Sequence, residues 1–166
     1  MTLAIYTDGA CEPNPGKGGW AFVAYSNGNE VYYETGGDIS STNNIMEMTG
    51  VLRALEWLRD ELRVTTATIY SDSQYVVKGC TIWRHGWKRK GWKRGQNTEL
   101  ANADLWREIS ALLDGMNVTI KWVKGHAGIL GNERADELSQ VGREQAIEAN
   151  AVPDLIAEQL RYEVAS

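Results

Sequence analysis

Four acidic residues fall at strand ends and on helices, where their carboxylates could converge. Asp8 follows the short apolar run at residues 3–7, and Asp72 follows a second apolar run centred on residues 68–70. Both runs read as β-strands, so the two carboxylates can meet at one edge of a sheet if the strands are neighbours. Glu47 falls near the start of a predicted helix, on the side shared with Val51 and Ala54. A carboxylate there is costly unless a cation or hydrogen bonds compensate it. Asp136 falls in a predicted last helix, beside Ala135 and flanked by Glu133 and Glu137. Four carboxylates brought together would suit Mg²⁺ or Mn²⁺, which take oxygen ligands and keep sites for water and phosphate. Taken singly, each acid also has a plain reading: turn residues for Asp8 and Asp72, a helix N-terminal acid for Glu47, a solvated helix residue for Asp136. Spacing alone does not decide between these readings. His126, one of two histidines, lies in the glycine-flanked segment Lys124-Gly125-His126-Ala127-Gly128. An imidazole on such a loop suits proton transfer near neutral pH.

The charge distribution adds a second feature. The chain of 166 residues has a net charge of −5, yet Arg84, Lys88, Arg89, Lys90, Lys93 and Arg94 form an acid-free cluster. A surface built this way repels phosphate over most of its area and attracts it at one place. Trp83, His85, Trp87 and Trp92 interleave with the basic residues, and Trp83 and Trp87 share a helix face. The tryptophans read equally well as a local core or as a stacking surface.

These residues must be held by elements the pattern predicts. Residues 3–7, 20–25 and 30–35 read as three strands joined by short turns, which favours antiparallel neighbours. In the second strand Trp20, Phe22 and Ala24 fall on one face and Ala21, Val23 and Tyr25 on the other. A helix over residues 44–62 carries Ile45, Met48, Leu52, Leu55 and Leu62 at helical spacing. A fourth strand around residues 68–70, a short helix at 74–78, a helix at 102–113, a fifth strand at 118–123 and a helix at about 132–146 complete the order. The whole reads as an α/β chain, a five-stranded mixed sheet with its first three strands antiparallel, covered by helices. One domain is expected over residues 1–146, with a basic protrusion at about 81–95. Residues 147–166 form a C-terminal tail whose order the sequence leaves open. Cys11 and Cys80 are too few for a disulfide framework and read as reduced thiols. The Gly-rich stretch at residues 14–19 fails the Walker pattern, because Gly18 and not Ser or Thr follows Lys17.

Four segments then resemble a known family. Tyr6-Thr7-Asp8-Gly9-Ala10-Cys11 with Asn14-Pro15-Gly16 is similar to the opening block of type 1 ribonuclease H. Thr42-Asn43-Asn44-Ile45-Met46-Glu47 resembles its helix block, and Ser71-Asp72-Ser73-Gln74-Tyr75-Val76 its third. Trp122-Val123-Lys124-Gly125-His126-Ala127-Gly128, followed by Asn132-Glu133-Arg134-Ala135-Asp136, resembles its last. The blocks stand in the family's order, which makes the likeness to bacterial ribonuclease H type 1 specific. The resemblance implies a ribonuclease H-like fold and an endonuclease that hydrolyses the RNA strand of RNA–DNA hybrids. It implies that Asp8, Glu47, Asp72 and Asp136 hold two Mg²⁺ ions, with Mn²⁺ a substitute, and that His126 shuttles protons. Products would carry 5′-phosphate and 3′-hydroxyl ends. Asn14, Asn43, Asn44 and Gln74 are implied to line the minor groove of the hybrid, and Thr42 and Asn102 to hold a DNA phosphate. Trp83, Trp87, Lys88, Arg89, Lys90, Trp92 and Lys93 resemble the basic handle that contacts the DNA strand.

A strand-transfer enzyme of the same fold is the main rival, but it would carry extra DNA-binding segments and lack the block with His126. A hybrid-binding module without activity would be expected to lose a carboxylate. A reverse-transcriptase nuclease domain would share the chemistry, but the complete basic segment favours an independent protein. With no apolar run near the ~20 residues of a membrane span and no secretory signal, a cytoplasmic monomer is expected. Contact with a single-strand-binding protein is compatible with a bacterial member, but no motif carries it.

Overall fold

The computed structural model describes residues 3–96 and 98–165. Three antiparallel strands open the fold: β1 (Leu3–Cys11), β2 (Gly16–Ser26) and β3 (Asn29–Ser41). Helix α1 (Asn43–Trp57) follows and continues as a π-helical turn, Leu58–Leu62. Next come β4 (Thr66–Ser71), α2 (Gln74–Lys78) with a second π-helical turn at Gly79–Trp83, and α3 (Arg84–Arg89). Helix α4 (Ala103–Asp114), β5 (Asn117–Trp122) and α5 (Leu130–Ala165) complete the chain. The sheet order is β3-β2-β1-β4-β5. β1 pairs with β2 and β2 with β3 antiparallel, while β1–β4 and β4–β5 are parallel. The mixed five-stranded sheet is therefore as expected.

Strand alternation divides the core in two. Leu3, Ile5, Trp20, Phe22, Ala24 and Ile69 face α1 and α4, where Met48, Val51, Leu55, Trp106 and Ile109 meet them. Ala21 and Val23 face the other way and pack on Ala135 and Leu138 of α5, flanked by Tyr6 and Tyr25.

Three expectations need adjusting. β1 does not end at Asp8-Gly9 but runs on to Cys11, with Asp8 opposite Ala21. Gly9 is not a turn residue: the backbone of Met46 and Glu47 lies against it, and any side chain there would collide with α1. The third strand likewise runs to Ser41, because β2 continues to pair with it. The last helix does not stop near Ala146. It continues to Ala165, with Ile156, Leu160, Tyr162 and Val164 exposed. Ser166 of the predicted tail, and Met1 and Thr2 of the predicted domain, lie outside the described residues. No helix among the described residues is long and apolar enough to cross a membrane.

Candidate active site

The parallel register of β1 and β4 brings the first two carboxylates together. Thr7 is paired with Ser71, so Asp8 and Asp72 are the next residues along neighbouring strands. Glu47 arrives from α1, whose start is set by Thr42: its hydroxyl accepts a hydrogen bond from Ile45 N–H at 3.2 Å. Asp8, Glu47 and Asp72 each offer a carboxylate oxygen within 4.8 Å of the others. Asp136, on α5, lies outside that tight group but lines the same cleft of about 350 Å³, as does His126. His126 is exposed, in the left-handed backbone region at φ 55°.

Burial makes this cluster electrostatically expensive. Asp8 is 5% exposed and Glu47 8%. Burial, then repulsion from Asp72 and the proximity of Asp136, push the Asp8 carboxyl up to about 8. Glu47 is held well above the usual carboxylate range by burial and then by Asp8 and Asp72. Its Oε2 atom is buried and has no hydrogen-bond partner. A buried, unpartnered carboxylate oxygen beside two further acids fits a divalent cation, whose charge would reverse the repulsion. A larger cavity of about 770 Å³ lies between the ends of α1 and α4, with Leu52, Val64, Leu112 and Met116 among its lining residues. It carries no such cluster among the described residues, so the smaller cleft is the candidate site.

Asn43, Asn44 and Ser73 also line the cleft. Asn14 is exposed on the turn between β1 and β2, and Gln74 is exposed at the start of α2. Asn102 adopts φ 59° just before α4, and its Nδ2 donates to Tyr75 Oη at 3.3 Å.

The basic segment is mounted by its aromatics. Trp87 packs on Trp83 at 5.7 Å and on Trp106 at 5.2 Å between ring centroids. Tyr75 packs on both Trp83 and Trp106, and accepts a hydrogen bond from Trp106 Nε1 at 3.0 Å. Trp87 and Trp92 pack against the main core, whereas Trp83 remains 39% exposed. Of the basic residues, Arg84 and Lys88 are both paired with Asp114, each at 2.7 Å. Arg89, Lys90, Lys93 and Arg94 stand in solvent.

The profile of the RNase H family matches residues 1–144. The chain belongs to the ribonuclease H family. A ribonuclease H of Polaromonas naphthalenivorans is 48% identical over 147 residues, covering 87% of this chain and 89% of that relative. Among solved structures, LC9-RNase H1, a type 1 RNase H with the type 2 active-site motif, superposes with a TM-score of 0.78 at 30% identity. The match covers 87% of this chain and 73% of that one. LC11-RNase H1, solved in complex with RNA/DNA hybrid, shares the fold with a TM-score of 0.66 at 22% identity, over 88% of this chain and 99% of its own. The chain is thus a ribonuclease H, a hydrolase acting on the RNA of RNA–DNA hybrids.

One residue of the ribonuclease H cleft has no role in the sequence reading. Asn132, 2% exposed, donates from Nδ2 to Asp72 Oδ2 at 3.2 Å. It stands inside the last motif block, but a buried amide is recognisable only once burial is known. Trp122 supports the same residue from outside, its Nε1 donating to the Asp72 carbonyl at 3.1 Å.

Proposed function

We propose that the cleft of Asp8, Glu47, Asp72 and Asp136 is the catalytic centre, cutting RNA in RNA–DNA hybrids to leave 5′-phosphate and 3′-hydroxyl ends. The observation that carries this reading is the close group of three carboxylates with an orphaned, buried Glu47 oxygen. The four carboxylates would hold two Mg²⁺ ions, or Mn²⁺ in their place. What such a pair supplies when bound is a lowered pKa for water and stabilisation of charge on the phosphorane-like transition state and the leaving 3′ oxygen.

The chain's own residues do the rest. Asp8 and Glu47 stay fixed by strand register and helix packing, so no reorganisation is needed as charge develops. Asn132 orients the Asp72 carboxylate by its hydrogen bond. His126, exposed on its loop, carries protons to and from the cleft. Asn14, Asn43, Asn44 and Gln74 contact the minor groove, where amides can meet base edges and 2′-hydroxyls without demanding a sequence. Thr42 and Asn102 hold a DNA phosphate. Lys88, Arg89, Lys90 and Lys93 lie along the DNA strand and give salt-dependent affinity. Trp83 offers an exposed ring there, while Trp87 and Trp92 hold the segment's shape. The reading takes the protein as a cytoplasmic monomer.

The test uses end-labelled RNA–DNA hybrid, double-stranded RNA and double-stranded DNA, with Mg²⁺ or EDTA, for wild type and Asp8→Asn. RNA cleavage in the hybrid alone, lost with EDTA and in the variant, is the expected result. Hybrid binding without cleavage in either metal would overturn it in favour of a binding module. Cleavage of double-stranded DNA would point to strand-transfer chemistry.

A further inference from the structure

Helix α5 lies directly on the β2–β3 surface because the contact is lined by glycine. A side chain on Gly19 would run into Ser139 and Arg143, and one on Gly142 would run into Gly36. This contact sets the register of α5 along the sheet. Asp136 and Arg143 are seven residues apart on that helix. Seven residues are about two turns, so the pair shares one face some ~10 Å apart. The face that delivers Asp136 to the cleft also delivers Arg143 to the turn joining β1 to β2.

There the guanidinium bridges both arms of the turn. Arg143 Nη2 donates to the Glu12 carbonyl at 2.6 Å, and Nε donates to the Lys17 carbonyl at 3.0 Å. Glu12 N–H donates to the same Lys17 carbonyl at 2.9 Å. Arg143 forms no ion pair among the described residues. Charge-assisted bonds to two carbonyls are the stronger kind and fix direction as well as distance.

The turn is tied to α1 on its other side. Asn43 N–H donates to Asn14 Oδ1 at 3.0 Å, and Cys11 N–H donates to Asn43 Oδ1 at 2.7 Å. Only the carbonyl end of an amide can accept these bonds. Both side chains therefore have their oxygen engaged by backbone, which leaves their NH₂ groups as the outward-facing donors. Donors suit what every base pair offers in the minor groove, the N3 and O2 acceptors, and the 2′-oxygen of RNA.

We propose that Arg143 is a positioning residue for substrate binding. It holds residues 12–17 so that Asn14 presents its NH₂ group to acceptor atoms of the hybrid. Arg143 lies outside the four motif blocks and acts through the turn, not through the carboxylates. The proposal rests on the reading of Asn14 as a substrate contact.

The test is steady-state cleavage of hybrid by Arg143→Ala, Arg143→Lys, Asn14→Ala and the double variant Arg143→Ala/Asn14→Ala, each with its thermal midpoint. Arg143→Ala should raise KM roughly three- to tenfold, the worth of the one substrate hydrogen bond that Asn14 would lose, with kcat within about twofold. Arg143→Lys should recover only part of the KM, because one ammonium cannot span both carbonyls as the fork does. In the Asn14→Ala background the Arg143→Ala effect should shrink to less than about twofold, the signature of coupled residues. A lowered midpoint with unchanged KM would make Arg143 a fold anchor and overturn the proposal. An equal KM rise in both backgrounds, or full recovery with lysine, would overturn it in favour of a direct phosphate contact. If Asn14→Ala alone leaves KM unchanged, the Asn14 reading falls and this proposal with it, while the carboxylate centre stands.

Discussion

Asp8 and Glu47 are buried among other acids, whereas Arg89, Lys90 and Lys93 stand in solvent on a short helix and the turn after it. In the cleft like charges are held together by strand register and helix packing, so the site is built against its own electrostatics. In the basic segment the charges are solvated, and stability comes from Trp87 and Trp106 beneath them and from Asp114 beside them. Under the proposed function, concentrated charge has two uses here: buried repulsion would be a store of affinity for a cation, and exposed charge a long-range attraction for phosphate.

The comparison can be broken most severely in the cleft. Asp8→Asn should lower hybrid cleavage at least ~10³-fold in Mg²⁺, the loss expected when a metal ligand worth several kcal/mol to the transition state is removed. Above about pH 8 the same change should also raise the thermal midpoint of the metal-free protein, because it removes a buried charge that Asp72 opposes. A variant that lost both activity and stability would mean that Asp8 is structural.

Trp87→Ala sharpens the other side. Removing a partly buried tryptophan from the Tyr75–Trp83–Trp106 group should cost about 2–3 kcal/mol in urea unfolding. It should also weaken hybrid binding without changing its salt dependence.

The pH dependence follows from Asp8. Its carboxyl titrates near 8 in the fold against 3.8 as the ordinary value. The folded state therefore binds the proton more tightly than the unfolded chain. That stabilisation is complete below about 3.8 and is lost as pH rises through about 8. The metal-free midpoint should accordingly fall across this window, and millimolar Mg²⁺ should flatten the fall. A midpoint that rises across the window in EDTA would contradict the burial argument.

Smaller effects belong to the solvated charges. Lys90→Ala and Lys93→Ala should each reduce the slope of log affinity against log salt by roughly one, with the midpoint unmoved. Smallest of all, Asp114→Asn should cost less than ~1 kcal/mol, since Asp114 and Lys88 are exposed and Arg84 keeps its bonds to Ser110 and the Cys80 carbonyl. Lys88 and Arg84 hold the Asp114 carboxyl down to about 2, so this contribution is present above 3.8 and lost as pH falls toward 2. Freed of Asp114, Lys88 should bind hybrid slightly better, which fluorescence anisotropy can detect.

Much of the fold was legible because local rules and packing agree. The alternation of Trp20, Phe22 and Ala24 against Ala21, Val23 and Tyr25 predicted two faces, and two cores are found. The helix over residues 44–62 is present within a residue at its start, although its last turn is π-helical. The ends were less legible. Asp8-Gly9 looks like a turn pair, yet Gly9 is dictated by the α1 backbone crossing it, a contact that no local window contains. The continuation of α5 to Ala165 was also unread, because its last turns leave Leu160 and Val164 exposed and so lack the buried stripe that marks a helix.

By itself, the sequence determined which residue types are available: four carboxylates in strand and helix blocks, one loop histidine, and six basic residues with no acid among them. Motif order was enough to place the chain in its family, because spacing along the chain survives in the sequence. Only the tertiary structure decided which charges meet. The parallel register of β1 with β4 sets Asp8 beside Asp72, and the seating of α5 on glycines sets Asp136 and Arg143 on the same side. Burial decided the rest: Asn132 and the orphaned Glu47 oxygen differ from any surface amide or acid only in having lost their water.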